Sequence, residues 1–191
     1  LPALIQGARN PAINPGQPGY LDVSTAIRPL GVPRGPVDRS QGDVHGQGNP
    51  HYWLDPKNGG AMASSIATRL QTLDPPHAAD FARNLKAFQD RLGSAMARWG
   101  KTMAPLRGTS VVSYHRTFDY FHARYGLVAV GYVENRPGIP PAPAHLAQLI
   151  ADMRRRSVRV LLHENLYDRA ASKLVGERAG ELVMRLRDEV V

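Results

Sequence analysis

The sequence contains no cysteine among its 191 residues. This absence excludes disulfides and thiolate metal sites, so any transition metal must be bound by histidine, aspartate or glutamate. Such ligands favour a borderline ion such as Zn²⁺ or a harder one such as Mn²⁺. The sequence also lacks any apolar run near the ~20 residues that cross a bilayer, so we expect no direct membrane insertion. With 42% hydrophobic residues, the chain is nevertheless apolar enough to fold around a core.

The familiar short motifs of catalysis are also missing. The sequence has no HExxH motif, no GxSxG elbow and no glycine-rich phosphate loop followed by Lys-Ser/Thr. Ser113, His115 and Asp119 lie close together, but Ser113 and His115 share one face of a predicted strand at a separation of about 7 Å. That distance is too long for a direct nucleophile–base pair. We therefore expect a protein that is not an enzyme, with a zinc-dependent hydrolase as the alternative.

The charge of the chain raises the possibility of nucleic-acid binding, because the net charge is +8 and the pI is near 10.2. The arginines are scattered, however, and no basic motif interleaved with aromatic residues is present to stack bases. The one basic run, Arg154–Arg156, ends a predicted helix, where cations complement the helix dipole. We expect no nucleic-acid partner.

The first fifty residues are rich in glycine and proline and are typical of loop, with "YLDVSTAI" (20–27) as a short strand or turn. The chain does not begin with Met, and its opening "LPALIQGARNP" is typical of the end of a helix. We therefore expect further sequence upstream, from which a secretory signal could have been removed.

Two helices are predicted after this segment. Asp55 and Pro56 are typical of an N-cap and a first helical residue, so one helix starts there and ends before "DPP" at 74–76. The next runs from His77 to about Met103. Its apolar residues recur every three or four positions, at Phe81, Leu85, Phe88, Leu92, Met96, Trp99 and Met103.

The rest of the chain alternates strands and helices. Apolar strands in "TSVVSYH", "LVAVGYV" and "VRVLLHEN" are each followed by a helical pattern, which predicts an α/β fold with a mostly parallel sheet. In such sheets, ligands bind at the carboxyl ends of the strands. The final segment "ELVMRLRDEVV" (181–191) predicts a helix directly after another helix. Because an α/β unit should supply a strand and a loop there, we expect residues to be missing near Gly180–Glu181.

Two of the seven histidines are candidate metal ligands. His115 follows a strand at the edge where ligand sites form, and His51 lies between a glycine-rich loop and a capped helix, beside a Trp53 that we expect to be buried. Neutral imidazoles in such positions suit Zn²⁺. Glu164, at the end of another strand, could be a ligand, an acceptor that orients an imidazole, or a capping group.

The other histidines have structural explanations. On sequence grounds, His77 and His122 are surface residues of helices, His145 has a capping or packing role, and His163 is a buried residue whose hydrogen bonds are satisfied.

Five segments, in the same order and at similar separations, resemble the metal-binding solute receptors of bacterial ABC importers for zinc and manganese. They are "NPHYWLDP" (49–56), "DPPHAADFARNLKAFQDRL" (74–92), "VVSYHRTFDYF" (111–121), "PGIPPAPAHL" (137–146) and "ENLYDRAASKLVGERAG" (164–180).

The resemblance implies two α/β lobes joined by one long spine helix, with one metal ion as cargo between them. The corresponding division is a partial N-terminal lobe over 1–76, the spine helix over 77–104 and a C-terminal lobe over 105–191. The N-terminal lobe is incomplete as the sequence stands.

The resemblance also implies a ligand set. The histidine of the Asn-Pro-His motif and the residue after the first strand of the second lobe are ligands in this family, which matches His51 and His115. A further histidine and a late acidic ligand are expected in segments that are not present. Zinc members often carry a long histidine-rich loop; here "GDVHGQG" holds only His45, so metal capture by that loop is not expected.

The function implied is that of a periplasmic or membrane-associated extracellular receptor. It would be a monomer that binds Zn²⁺ and delivers it to an ABC permease and its ATPase. A histidine at 115 rather than a glutamate favours zinc, because imidazole nitrogen is a softer ligand than carboxylate oxygen. A Mn²⁺ or Fe²⁺ receptor of the same architecture is the alternative.

Overall fold

The structure is a computed structural model that describes residues 2–38, 45–180 and 182–186. In this part of the chain the helices are α1 (Pro2–Gly7), α2 (Pro56–Leu73), α3 (Ala78–Met103), α4 (Asp119–Tyr125), α5 (Pro143–Arg155) and α6 (Ala170–Ala179). The strands are β1 (Ser110–Ser113), β2 (Val128–Tyr132), β3 (Val160–Glu164) and β4 (Leu182–Leu186). The predicted α/β class, with its long helix before the first strand, is confirmed.

The chain divides into two compact units. One consists of Leu1–Arg28 and Pro56–Trp99, and the other of Pro29–Asp55 and Gly100–Val191. The segment that contains the Asn-Pro-His motif therefore groups with the C-terminal α/β part, whereas the sequence-based division at 76 places it in the N-terminal lobe. The boundaries at 76 and 104 stay a prediction.

The first unit is built on α2 and α3. A side-chain hydrogen bond joins them, from Gln89 Nε2 to Ser64 Oγ at 3.1 Å. Arg69 on α2 donates to the carbonyl oxygens of Pro18 and Tyr20 at 2.7 and 3.0 Å, which ties the N-terminal loop to this helix. The segment predicted as a strand or turn is a 3₁₀ turn over Val23–Ala26.

The second unit contains a four-stranded parallel sheet in the order β2-β1-β3-β4. A parallel sheet is covered on its faces by crossover helices and is rich in apolar residues. In accordance with this, the fully buried apolar residues come from the strands, the segments next to them and the helices: Val112, Val133, Met153, Val158, Leu161 and Val175. Gly126 ends α4 in the left-handed conformation, as predicted for a helix C-cap.

The prediction of a final helix over 181–191 is wrong where the structure describes the chain. α6 ends at Gly180, and Leu182–Leu186 forms β4, which pairs in parallel with β3. The strand that the α/β pattern demands is therefore present. The expected missing loop falls on Glu181, which lies outside the described residues, as do residues 187–191.

His122 is buried, so its prediction as a surface residue is wrong. It lies on the face of α4 that packs on the sheet, is 4% exposed, and its Nε2 is 3.4 Å from Ser113 Oγ. Within the described part of the chain, its Nδ1 has no hydrogen-bond partner. Burial lowers the pKa of His122, because the charged imidazolium is poorly solvated there, and the nearby Asp119 opposes this only in part.

We expect the stability of the protein to fall below about pH 6.5, the ordinary pKa of histidine. The unfolded chain then takes up a proton at His122 that the folded chain refuses, so unfolding is favoured until the pH drops below the lowered folded-state pKa. Every tenfold difference in proton affinity between the two states changes the free energy of unfolding by about 1.4 kcal/mol. Urea unfolding at a series of pH values measures this effect. As the pH falls, the free energy of unfolding should decrease less in His122→Gln than in the control His77→Gln, since His77 is exposed. Equal pH slopes in the two variants would contradict this.

Candidate metal centre

Asn49 fixes the loop that carries His51. Its side-chain Oδ1 accepts the backbone N–H of His51 at 2.9 Å, and its Nδ2 donates to the carbonyl oxygen of Arg116 at 2.7 Å and to Asp119 Oδ2 at 3.2 Å. Arg116 directly follows His115. A single amide side chain therefore links the backbone at both candidate ligands and limits how far they can separate.

The loop is held from its other side by Leu30 and Tyr120. The backbone N–H of Asn49 donates to the Leu30 carbonyl oxygen at 2.7 Å. The Tyr120 hydroxyl, on α4, accepts from the Leu30 N–H and donates to the Asn49 carbonyl oxygen, both at 2.9 Å. Gly48 precedes this contact with a φ of 103°, a conformation that glycine adopts without strain.

Asp55 anchors the end of the same segment. Its two carboxylate oxygens accept from Arg124 Nε and Nη2 at 2.6 and 2.7 Å, and this hydrogen-bonded pair raises the pKa of Arg124. Paired planar contacts of this kind fix orientation as well as distance. α2 begins at Pro56, as predicted. Both ends of the segment 49–55 are thus hydrogen-bonded to the turn and the helix α4 that follow β1.

His115 lies two residues after β1 and precedes a 3₁₀ turn over Arg116–Phe118. Its Nδ1 is 2.5 Å from Glu134 Oε2. Glu134 is 6% exposed and follows β2, the strand beside β1, and its Oε1 accepts the backbone N–H of Gly138 at 2.9 Å. Glu134 was not among the candidate residues predicted from the sequence. The available signal was its place just after β2, since parallel neighbours end at the same sheet edge.

The two candidate imidazoles lie side by side. The ring centroids of His51 and His115 are 5.2 Å apart, and the ring planes are at 83°. Trp53 packs edge-on against His51, also at 5.2 Å, and Tyr167 lies 5.8 Å from His115. Trp53 is 40% exposed, so its prediction as a buried residue is wrong. Residues 64 positions apart in the sequence are therefore neighbours within one unit.

Glu164 lies at the same carboxyl edge, at the end of β3, and is 1% exposed. Burial raises the pKa of Tyr114, and the carboxylates of Glu134, Asp168 and Glu164 raise it further. Glu164 is thus one of several acidic groups near this edge. Its predicted role as ligand, acceptor or cap stays a prediction.

The remaining histidines outside α4 are exposed or have hydrogen-bond partners of their own. His163 is fully buried, with Nδ1 at 2.9 Å from Ser172 Oγ and Nε2 at 3.1 Å from the Tyr167 carbonyl oxygen. His145 Nε2 donates to the carbonyl oxygen of Tyr132 at 2.8 Å. His77 is exposed and paired with Asp74, and His45 is exposed.

Among the residues that the structure describes, no group of three or more histidine, aspartate or glutamate side chains is placed to hold a metal ion. A tetrahedral zinc site needs four ligands, and the described residues bring together two imidazoles, those of His51 and His115.

Comparison with known proteins identifies the family. The family described as "Zinc-uptake complex component A periplasmic" matches residues 5–189. The chain belongs to this family. The resemblance to metal receptors of ABC importers is thereby confirmed, and the family is one of solute receptors rather than enzymes.

Individual relatives agree with this assignment. The high-affinity zinc uptake system protein ZnuA of Brucella abortus is 32% identical over 104 residues, which are 54% of this chain and 31% of that protein. A crystal structure of ZnuA superimposes with a TM-score of 0.70 at 25% identity, over 86% of this chain and 60% of the other. The Pseudomonas aeruginosa receptor FpvC, solved in complex with Mn²⁺, gives a TM-score of 0.64 at 27% identity, over 73% and 51% of the two chains.

The chain thus spans about a third of the length of the Brucella relative and half or more of the two solved structures named above. The Brucella protein is named for high-affinity zinc uptake, and FpvC was solved in complex with Mn²⁺. In the part of the chain that the structure describes, no helix is long and apolar enough to cross a membrane.

Proposed function

We propose that this chain is part of a periplasmic receptor that binds Zn²⁺ and hands it to an ABC permease driven by an ATPase. His51 and His115 bind the ion directly, and further ligands complete its coordination. The observation that carries the proposal is the distance of 5.2 Å between the two imidazole centroids.

This distance fits two imidazoles on one tetrahedral ion. With Zn–N bonds of about 2.0–2.1 Å and roughly 1.2 Å from each nitrogen to its ring centre, the tetrahedral angle puts the two centroids about 5 Å apart. The observed separation matches this value without movement of either loop. The hydrogen bonds of Asn49, Leu30 and Tyr120 hold the backbone segments that carry the two rings.

The donor atoms favour zinc over manganese. Two imidazole nitrogens form a softer ligand pair than the carboxylate oxygens that suit Mn²⁺. A Mn²⁺ or Fe²⁺ receptor remains the second candidate, because FpvC shares this fold and was solved with Mn²⁺. A higher affinity for zinc does not by itself identify the physiological cargo, since most nitrogen sites bind Zn²⁺ more tightly than Mn²⁺ or Fe²⁺.

The arrangement supports a receptor rather than a zinc hydrolase. A hydrolase needs a general base within hydrogen-bond reach of the attacking water. The carboxylate beside His115 is Glu134, and both of its oxygens already accept hydrogen bonds, from His115 and from the Gly138 N–H. It is therefore poorly placed to take a proton from water.

Titration of the wild-type chain with Zn²⁺, followed through the ring-nitrogen NMR signals of its histidines, tests the proposal. We expect the signals of His51 and His115 to shift together and to saturate at one ion per chain. Those of His77 and His145 should stay in place, because these residues are already paired elsewhere. No binding, or shifts confined to other histidines, would overturn the proposal.

A further inference from the structure

The hydrogen bond between Glu134 and His115 determines which ring nitrogen of His115 carries a proton. An ionised carboxylate can only accept hydrogen bonds, so in the contact of 2.5 Å between Oε2 and Nδ1 the imidazole must donate. In the neutral ring, a proton on Nδ1 leaves Nε2 with its lone pair. The tautomer with Nε2 available for a metal is therefore set before an ion binds.

The carboxylate is itself held in place. Glu134 is 6% exposed, and its Oε1 accepts the Gly138 N–H at 2.9 Å. Its backbone N–H donates to the Tyr114 carbonyl oxygen at 2.9 Å, which joins the ends of β1 and β2. Because both oxygens and the backbone are fixed, the side chain cannot easily turn away from His115.

We propose that Glu134 is a positioning residue that locks His115 in the Nδ1–H tautomer and presents Nε2 to the ion. This role rests on the proposed zinc-binding function, and nothing in the family match assigns it. A carboxylate behind a ligating imidazole also makes the ligand more basic, and the loss of such a partner weakens metal binding about 10- to 100-fold.

Replacement of Glu134 by glutamine inverts the hydrogen bond. The Gly138 N–H can only donate, so it holds the amide oxygen of the new side chain where Oε1 lies. The amide NH₂ group then faces Nδ1 of His115 and needs an acceptor there. The neutral ring must move its proton to Nε2, where it blocks coordination.

The test compares wild type, Glu134→Gln and the control Glu177→Gln, whose glutamate is exposed on α6. Long-range ¹H–¹⁵N NMR of metal-free protein in mildly alkaline buffer reports the tautomer of each histidine. We expect Nδ1–H for His115 in the wild type and the control, and Nε2–H in Glu134→Gln. His145 is an internal reference, because its Nε2 donates to a carbonyl oxygen and must stay protonated in all three.

Zinc titration of the same samples completes the test, with about 10- to 100-fold weaker binding expected in Glu134→Gln only. An unchanged His115 tautomer, or an inverted one with wild-type affinity, would overturn the positioning role and leave the proposed function standing. Failure of the wild type to bind zinc would overturn the proposed function and this role with it.

Discussion

The double variant His51→Ala with His115→Ala is expected to lose specific zinc binding. Loss of an outer partner of a ligand already weakens binding about 10- to 100-fold, so loss of one ligand should cost at least about 100-fold, or about 2.8 kcal/mol. The double variant lacks both imidazoles of the pair that the structure brings together among the described residues. Isothermal titration with Zn²⁺ should show a large loss for each single variant and no measurable site in the double one.

The matched control for these variants is His77→Ala, which removes an exposed histidine of the other unit. Its zinc affinity should equal that of the wild type. Urea unfolding of every variant separates loss of a ligand from loss of folding, since the two site histidines are only partly buried. Wild-type affinity in the double variant would show that neither His51 nor His115 binds the ion.

Gly48→Ala is expected to disturb the site without touching a ligand. At Gly48, φ is 103°, and an added Cβ would lie 2.7 Å from the Leu30 carbonyl oxygen and 3.0 Å from Pro29 Cβ. The clash falls on the same carbonyl that accepts the Asn49 N–H. Because these are backbone and ring atoms, the loop must shift. Backbone strain of this kind costs about 1–3 kcal/mol.

The measurement for Gly48→Ala is urea unfolding together with zinc titration. We expect lower stability and at least about tenfold weaker zinc binding, since even small misplacement of a ligand loosens a metal site. Gly46→Ala is the matched control, because a Cβ there meets no atom within 4 Å and its φ is not positive. If both variants bind zinc as the wild type does, the Asn-Pro-His loop does not depend on this turn.

The fold was largely predictable because the periodicities are strong. The long apolar pattern predicted α3, and the alternation of strands and helices predicted the parallel sheet. The prediction of a helix after Gly180 was wrong, since a short apolar stretch such as Leu182–Met184 fits a strand as well as a helix. The prediction for His122 was wrong because the sequence of the short helix α4 does not show which of its faces packs on the sheet.

The site was predictable only in part. The positions of His51 and His115, each on a loop before a helix, marked them as candidates. Their proximity depends on hydrogen bonds from Asn49 that join segments 67 residues apart, which no local pattern reveals. Glu134 was missed although its place after β2 was a signal, because its contact with His115 depends on β1 and β2 being neighbours in the sheet.

Anomalous diffraction at the zinc absorption edge, from crystals grown with Zn²⁺, locates the bound ion directly. We expect one strong peak between the two rings, about 2.0–2.1 Å from a nitrogen of His51 and from Nε2 of His115. A peak at another histidine, or a peak bound by only one of the two rings, would contradict it.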